Sequence, residues 1–298
     1  MIVTITLNAA LGVSYEAHQV AWDRPNEVTA VRHHAAGRGV AVARVLHTFG
    51  HEVVAAGLAG GAAGEMIRED LSRQGIPTEF TRIGHESRRV LELRDTADGR
   101  LLNLTEPGPY ITTEELGRFA ADYRQLLSGA TAVVLCGSLP AGIPAEIYGT
   151  LATYAAEAGV PAILEAGGPE LRYGAARRPA LVIPADASAQ AAGALPPGAG
   201  AVALVGEHVI QAITPDGQWQ AKLTGVDHSP WPRHAVVAGL IPGVLLGWSW
   251  EDRLRHAVAL GASVAAAEVD IAAYERLIGQ VVVDPPEGWP PEGRPPGS

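Results

Sequence analysis

Short apolar runs rich in β-branched residues alternate with longer amphipathic segments along the first half of the chain. Predicted strands cover residues 2–7, 53–59, 131–135 and 161–165, and predicted helices cover residues 39–49, 64–74, 113–127 and 145–157. Strands that alternate with helices in this way are typical of βαβ units, whose strands run parallel. The pattern therefore predicts an α/β fold with a mainly parallel sheet and helices on both of its faces.

Two segments interrupt this alternation. Residues 18–34 and 89–104 carry strand-like patterns without a helix between them, and Asp98-Gly99 is a turn signal inside the second segment. We predict a strand pair in each. The apolar run at residues 235–248 is too short to span a membrane and is broken by Pro242, so it predicts a buried helix.

Length and composition indicate one domain followed by a tail. A chain of 298 residues is often a single α/β domain, and 47% hydrophobic residues provide enough material for its core. We place the domain at residues 1–284. The Pro- and Gly-rich residues 285–298 are predicted to be disordered.

The charge and the cysteine count exclude several classes of protein. A net charge of -10 argues against nucleic acid and against anionic membranes as partners. The single cysteine, Cys136, excludes an internal disulfide, and the first residues lack the layout of a signal peptide. We therefore expect a cytoplasmic protein.

Several motifs occur together in one order along the chain. They are Thr6-Leu7-Asn8-Ala9-Ala10-Leu11, the segment Ala35 to Leu46, Glu106-Pro107-Gly108-Pro109, and Gly137-Ser138-Leu139-Pro140 with the loop and helix that follow. These motifs resemble those of the PfkB carbohydrate kinases, which have the ribokinase-like fold. The chain is especially similar to the branch of 1-phosphofructokinase and tagatose-6-phosphate kinase, over about residues 1–283.

This resemblance implies a three-layer sandwich with a small β lid over a sugar site. The lid strands are expected at about residues 9–35 and 86–106, and family lids often pair with the lid of a second subunit, which implies a homodimer. The resemblance also implies ATP- and Mg²⁺-dependent phosphoryl transfer to a hydroxyl group of a sugar or sugar phosphate.

The family's catalytic loop is replaced in this chain. Trp231-Pro232-Arg233-His234 stands where the family has GAGD, whose Asp is the base and whose glycines expose N–H groups for the moving phosphoryl group. Pro232 has no N–H, and His234 replaces the carboxylate. This segment is either an ordinary helix start or a substituted site, with His234 as base and Arg233 as phosphate clamp.

The metal and nucleotide positions are also substituted. The family's NxxE positions correspond to Ala185 and Ser188, so no metal site is predicted; a shifted loop could instead bring in an acidic residue, namely Asp186, Glu207 or Asp227. The remaining nucleotide-binding positions correspond to Ala203, Val205 and Gly239.

The substrate-binding positions are changed more selectively. Gly12 replaces an Asp and Ala41 replaces an Asn that bind sugar hydroxyls in the family. Arg38 replaces a Lys in the turn opened by Gly37, and Arg88 matches an Arg in the lid segment that contacts the substrate phosphate. These arginines predict either a surviving anion site or solvated loop charges.

Four other residues have simpler expected roles. His33 and His34 are adjacent on a predicted strand and point to opposite faces, so they do not form a metal site by themselves. Glu165 ends a predicted strand and could lie beside the cleft or be only a strand terminus. Cys136 is expected to pack as a small buried residue.

The sequence leaves two functional hypotheses, besides the third possibility of a wholly structural relic that binds no small anion. The first is a pseudokinase with little or no phosphotransfer and a residual site for a small phosphorylated, sugar-like ligand. The second is an active kinase on an unusual substrate, with His234 as base and Arg233 and Arg38 as phosphate clamps. ATP and Mg²⁺ are cofactors only under the second hypothesis.

Overall fold

The computed structural model describes residues 1–185, 200–223, 230–265 and 268–289. Asp186, Ser188 and Asp227, as well as residues 290–298 of the predicted tail, lie outside the described residues. The expectations for those positions therefore remain sequence predictions.

The described residues form strands and helices in the following order. The strands are β1 Ile2–Thr6, β2 Ala10–Ala17, β3 Val28–Ala36, β4 Val53–Gly60, β5 Thr78–Ile83, β6 Arg88–Asp95, β7 Leu101–Thr105, β8 Ala132–Cys136, β9 Ala162–Ala166, β10 Leu181–Pro184, β11 Val202–Val205, β12 Val209–Thr214, β13 Gly217–Leu223, β14 Val264–Ala265, β15 Glu268–Val269 and β16 Val281–Asp284. The helices are α1 Arg38–Thr48, α2 Gly61–Arg73, α3 Thr113–Leu127, α4 Ile147–Glu157, α5 Gly168–Ala175, α6 Arg233–Leu246, α7 Trp250–Ala262 and α8 Ile271–Leu277.

The main sheet confirms the predicted α/β class. Its strand order is β16-β13-β12-β11-β10-β9-β8-β1-β4-β5. The strands from β11 to β5 pair in parallel, whereas β12, β13 and β16 add antiparallel pairs at one edge. Every residue of β1, β8 and β9 is buried, which explains why these strands read as continuous apolar runs.

Two hydrophobic clusters cover the two faces of this sheet. Neighbouring residues of β1 contribute to opposite clusters, Ile2 to one and Val3 to the other, because successive strand side chains alternate. One cluster includes residues of α1, α2, α6 and α7, and the other includes residues of α3, α4 and α5. The result is a three-layer arrangement of helices, sheet and helices.

A separate sheet with the order β3-β2-β6-β7 forms the lid. The strand pair predicted at residues 89–104 is confirmed by β6 and β7. The pair predicted at residues 18–34 is wrong in its first half, because β2 ends at Ala17. A loop follows instead, in which Asn26 bonds both main-chain groups of Ala21, and Asp95 accepts the N–H groups of Gln19 and Val20.

The predicted helices begin and end close to their expected residues. Helix α3 matches its predicted range because Thr112 and Glu115 form a reciprocal capping box at its start. The apolar run containing Pro242 forms α6, which is buried along most of its length and ends before Gly247 in a left-handed conformation. In the ranges that the structure describes, no helix is long and apolar enough to cross a membrane.

The parallel strands bring their carboxyl ends to one edge of the main sheet. Helices α1 and α6 both begin at that edge, and β1 leads from it into the lid strand β2. Ligands of open α/β sheets bind at such edges. Arg38, Glu165 and Arg233 meet at this edge.

Candidate functional site

Glu165 is at the centre of a buried ion-pair cluster at the strand ends. Its Oε1 atom lies 2.7 Å from Nη1 of Arg38, at the start of α1, and 2.8 Å from Nε of Arg233, at the start of α6. The Glu165 side chain is 1% exposed, whereas those of Arg38 and Arg233 are 46% and 23% exposed. The carboxylate therefore pairs with both arginines that the sequence proposed as phosphate clamps, and one positive charge of this three-residue cluster stays uncompensated.

Arg233 makes two further hydrogen bonds in the same place. Its guanidinium donates to the main-chain carbonyl of Val205 at 3.3 Å and to that of Pro184. One side chain thus connects the ends of β9, β10 and β11. The planar fork of Arg suits such a bridge, because its N–H groups diverge in fixed directions.

Among the residues that the structure describes, the other carboxylate oxygen of Glu165 is buried without a hydrogen-bond partner. A buried charge is costly unless it is paired, so the stability of this cluster depends on both arginines remaining in place. The pairing is internal to the protein and leaves Arg38 as the more accessible of the two cations.

The start of α6 does not form a glycine-type anion hole. Pro232 is the residue before the helix and makes no side-chain cap. Trp231 is 6% exposed and packs in the core. Its main-chain N–H donates to the main-chain carbonyl of Glu207 at 3.2 Å. The Glu207 side chain is exposed. Bulky and N–H-deficient residues therefore occupy the positions where the family has glycines.

His234 is partly buried in the first turn of α6. Burial, together with the positive charge of Arg44 in α1, lowers the pKa of the His234 imidazole below its ordinary value. The ring is therefore neutral at physiological pH. It has a free lone pair but is a weaker proton acceptor than an ordinary histidine.

His34 occupies the space beside Gly12. The two residues are paired across β2 and β3, and a Cβ atom built on Gly12 would overlap the imidazole ring of His34. No larger residue fits at position 12 while His34 keeps this position. The family's sugar-binding carboxylate has therefore been exchanged for an imidazole that approaches from the neighbouring strand.

Asp70 connects the lid to the helices beneath it. Its Oδ2 atom accepts hydrogen bonds from Nη2 of Arg44 and from the Ala35 N–H in β3, each at 2.8 Å. Burial, followed by the charge of Arg44, lowers the pKa of the nearby His34, while Asp70 and Glu92 oppose this shift. Arg44 thus influences both histidines of the site.

Arg88 lies at the base of the lid. Its Nε donates to the carbonyl of Asn8 at 3.3 Å, and partial burial lowers the pKa of its guanidinium. The Asn8 amide donates to Ser138 at 3.2 Å. Within the part of the chain that the structure describes, the Asn8 Oδ1 and the Thr6 hydroxyl oxygen are buried without a hydrogen-bond partner.

Gly37 is required by the turn that opens α1. It has a φ of +129°, and a Cβ atom there would lie 2.7 Å from Cγ2 of Thr6. Both facts exclude a larger residue. Ala41, one turn further along α1, is partly exposed and provides no polar group where the family has Asn.

The nucleotide positions carry structural roles in this chain. Ala203 is fully buried in β11, and Ala185 donates its N–H to the carbonyl of Ala166 at 2.8 Å. Gly239 lies where α6 crosses α7, and a Cβ atom there would be 2.7 Å from Cα of Ala257. These residues offer main-chain groups and close packing, and none supplies a polar side chain to a nucleotide.

The described residues offer Mg²⁺ no evident ligand set. Ala185 and Ser188, at the family's metal positions, provide no carboxylate. Among the described residues, no three His, Cys, Asp or Glu side chains are arranged to hold a metal ion. The acidic alternatives Asp186 and Asp227 lie outside the described residues.

The sequence indicated most of these positions but missed their partners. Glu165 was considered only as a neighbour of the cleft, and His34 only as half of an unlikely metal pair. Asp70 and Arg44 gave no motif signal. One signal for the contact between residues 12 and 34 was present in the sequence. A glycine stands where the family has a larger residue, and a histidine occurs on the segment expected to form the adjacent lid strand.

Comparisons with known proteins agree on one family and one fold. A model described as pfkB family carbohydrate kinase matches residues 3–196. Phosphofructokinase-2 from Escherichia coli in complex with fructose-6-phosphate is 22% identical, with a TM-score of 0.84 over 93% of this chain and 98% of that one. A protein named as a possible 1-phosphofructokinase from Thermotoga maritima is also 22% identical, with a TM-score of 0.82 over 95% and 99%. A carbohydrate kinase from Agrobacterium tumefaciens is 16% identical, with a TM-score of 0.75 over 95% and 99%.

Proposed function

The chain belongs to the pfkB family of carbohydrate kinases, and we propose that within this family it is a pseudokinase. It has the ribokinase-like fold with its large sheet and separate lid. In this proposal the protein binds a small phosphorylated, sugar-like ligand and transfers little or no phosphate.

The Arg233 bridge is the observation that carries this proposal. Its guanidinium is bonded to Glu165 and to the carbonyls of Pro184 and Val205, so it lies across the strand ends. A family member needs this region for the transferring phosphoryl group. Three of the five N–H groups of Arg233 are thereby engaged within the protein, so this side chain cannot turn its whole fork toward a phosphate oxygen unless some of these bonds break.

The substitutions at the family's base and anion-hole positions also favour a pseudokinase. Loss of a general base typically lowers a rate by about 10²–10⁴-fold, and loss of one oxyanion donor lowers it by about 10²–10³-fold. Such losses do not simply multiply, but both positions are replaced here. The replacement of the family's NxxE residues by Ala185 and Ser188 supports the same proposal.

An active kinase remains the second candidate because of one observation. The lowered pKa of His234 leaves its imidazole neutral, and a neutral imidazole can accept a proton from a substrate hydroxyl group. In that case His234 would be the base, Arg38 would be the accessible phosphate clamp, and ATP with Mg²⁺ would be required.

Ligand binding in the proposal relies on Arg38 and Arg88. Arg38 uses one terminal nitrogen for Glu165 and is 46% exposed, so it retains donors for an anion. A phosphofructokinase-2 neighbour was solved with fructose-6-phosphate, which makes a sugar phosphate the first ligand class to test. A homodimer through the lid and a cytoplasmic location belong to the same proposal.

The test compares ADP release from Mg-ATP by the wild type and by His234→Ala, with a panel of phosphorylated hexoses. His47→Ala, at an exposed position on α1, is the matched control. We expect no release above background from any of the three proteins. Turnover that His234→Ala abolishes and His47→Ala preserves would disprove the pseudokinase and make His234 the base.

A further inference from the structure

Strand β3 is an edge of the lid sheet, and its outer half is exposed on both faces. Residues 28–33 are all exposed, including the apolar side chains of Val28 and Val31, which are 45% and 50% exposed. The segment contains no proline and no lysine, the residues that commonly block an edge. The outer half of β3 can therefore accept another strand.

One contact shows in which direction the main-chain groups of β3 point. The Ala35 N–H donates to Oδ2 of Asp70 at 2.8 Å, so it points away from β2. Ladder bonds alternate along an antiparallel pair, so the N–H and C=O groups of His33 and Val31 point outward as well. In the part of the chain that the structure describes, these outward groups of His33 and Val31 have no hydrogen-bond partner.

Side chains close other strand edges of the molecule. At the β5 edge of the main sheet, Arg68 donates to the carbonyl of Phe80 at 3.3 Å, and Arg118 donates to that of Arg82 at 3.4 Å. At the base of β3, the Asp70 carboxylate has the same effect. The outer half of β3 differs from these closed positions, and an open edge is the surface to which strand addition joins a partner.

Three registers for a two-fold antiparallel pair of β3 strands differ in the residues that they place together. A pair centred on His33 would need the Ala35 N–H, which is already bonded. A pair centred on Arg32 would place two guanidinium groups directly opposite each other, which is destabilising. A pair centred on Val31 lets the two Val31 residues exchange N–H···O bonds and places Arg32 opposite Ala30 of the second copy.

The register centred on Val31 also brings opposite charges together. Ala30 would lie between Glu16, its neighbour on β2, and Arg32 of the second copy. Neighbouring strands are about 4.8 Å apart, so two strand spacings separate Glu16 from that arginine, and the small Ala30 side chain leaves the path between them open. Glu16 and Arg32 are both exposed, and among the described residues neither forms an ion pair within its own chain. The two-fold axis repeats this ion pair.

We infer that β3 is a docking edge for a second copy of this chain, joined by antiparallel pairing about Val31 and by two ion pairs between Glu16 and Arg32. The two four-stranded lid sheets then form one continuous sheet. This contact uses the edge of the lid and is separate from a contact that covers the apolar lid face around Leu91 and Leu104. It also needs no ligand, so it goes beyond the proposed function.

Single cysteines introduced into the full chain test the register. The native Cys136 is fully buried and does not compete. The Cα atoms of a hydrogen-bonded antiparallel pair lie about 5.5 Å apart, within the range of a disulfide. Oxidation by glutathione disulfide should therefore convert most of Val31→Cys into a covalent dimer, and Arg32→Cys should give at most about a tenth as much. Leu101→Cys, which is similarly exposed on the opposite lid edge, is the matched control.

Charge reversal tests the contact without cysteines. The Leu104→Glu background removes a contact through the lid face, and analytical ultracentrifugation then gives the dissociation constant of the edge contact. Glu16→Arg and Arg32→Glu should each raise this constant at least about tenfold, because each replaces two attractions by two repulsions. The double variant should return to within about threefold of the background protein. Val31→Pro should weaken the contact as well, because it removes only an outward N–H.

The outcomes separate this inference from its alternatives and from the proposed function. Equal cross-linking of Val31→Cys, Arg32→Cys and Leu101→Cys would overturn the register, and a double variant as weak as its parents would overturn the ion pairs. A monomeric Leu104→Glu protein together with no Val31→Cys dimer would overturn the docking of a second copy and leave the edge to an extended segment of another protein. ADP release from Mg-ATP would overturn the pseudokinase alone, because neither edge assay uses nucleotide.

Discussion

Glu165 and Arg233 are 68 residues apart in the chain, and their side chains meet with 2.8 Å between Oε1 and Nε. The Glu165 carboxylate is buried at the end of β9, and Arg233 is the first residue of α6. Arg38 shares the same oxygen atom. This contact places an internal ion pair at the carboxyl ends of the parallel strands, and its contribution to stability can be tested by substitution.

Glu165→Ala should destabilise the protein strongly. Removal of one partner from a buried ion pair typically costs about 3–5 kcal/mol in the free energy of unfolding, because the remaining charge is uncompensated. Glu165→Gln should cost less, since its amide oxygen still accepts from a guanidinium. Urea unfolding measures both. Glu52→Ala is the control, because its side chain is 84% exposed and its ion pair should contribute no more than about 1 kcal/mol.

The two arginines of the cluster should not be equivalent. Arg233→Met removes three hydrogen bonds, whereas Arg38→Met removes one and leaves Glu165 paired with Arg233. We expect Arg233→Met to be the more destabilising by at least about 1 kcal/mol, the typical net value of a hydrogen bond. Equal unfolding free energies for the two variants would contradict the assigned geometry.

Gly12→Ala should be unfavourable only while His34 is present. The added methyl group would overlap the imidazole, and overpacking of this kind costs about 1–3 kcal/mol. In the His34→Ala background the same change should be nearly neutral, so a double-mutant cycle should give a clear coupling energy. Gly117→Ala in α3 has open space around the new atom and should stabilise the protein by up to about 1 kcal/mol.

Stability should depend on pH through His256. This side chain is 7% exposed, its Nδ1 lies 2.6 Å from the hydroxyl oxygen of Tyr274, and burial with the nearby His51 lowers its pKa to about 4. The unfolded chain, with the ordinary pKa of 6.5, therefore takes up the proton first. The stabilising contribution is complete above the unfolded pKa and is lost as the pH falls toward 4.

Unfolding curves at a series of pH values test this dependence. Linkage gives a loss of about 2 kcal/mol between neutral pH and about pH 5 from this residue. His256→Phe should flatten that part of the profile. An unchanged slope in the variant would show that another group is responsible.

The proposed lid dimer predicts different effects for two exposed leucines. Leu104 is 53% exposed and lies on the lid face that carries Leu91, whereas Leu101 is 47% exposed and lies on the opposite face with Arg94. A second copy that covers the more apolar face would bury Leu104. Leu104→Glu should therefore lower the molar mass measured by light scattering, while Leu101→Glu should not; a monomeric wild type would refute the dimer.

The local patterns determined the fold class and most of the elements. Burial on both faces makes parallel strands read as apolar runs, and the capping residues Thr112 and Glu115 set the start of α3, so these features were predictable. The strand prediction for residues 18–34 failed because hydrogen bonds of Asn26 and Asp95 hold the first part as a loop. The local pattern of residue types does not show which main-chain groups Asn26 and Asp95 bind.

The sequence by itself determined the α/β fold and the family motifs, because these depend on residue type and local pattern along the chain. Only the tertiary structure decided which charged side chains pair with one another. Arg38 and Glu165 are separated by 127 residues, and they meet because β9 ends beside the start of α1. The same is true of Gly12 and His34, whose contact depends on strand register. Ion pairs and steric overlap act over a few ångströms in space, so the order of strands in the sheet determines them.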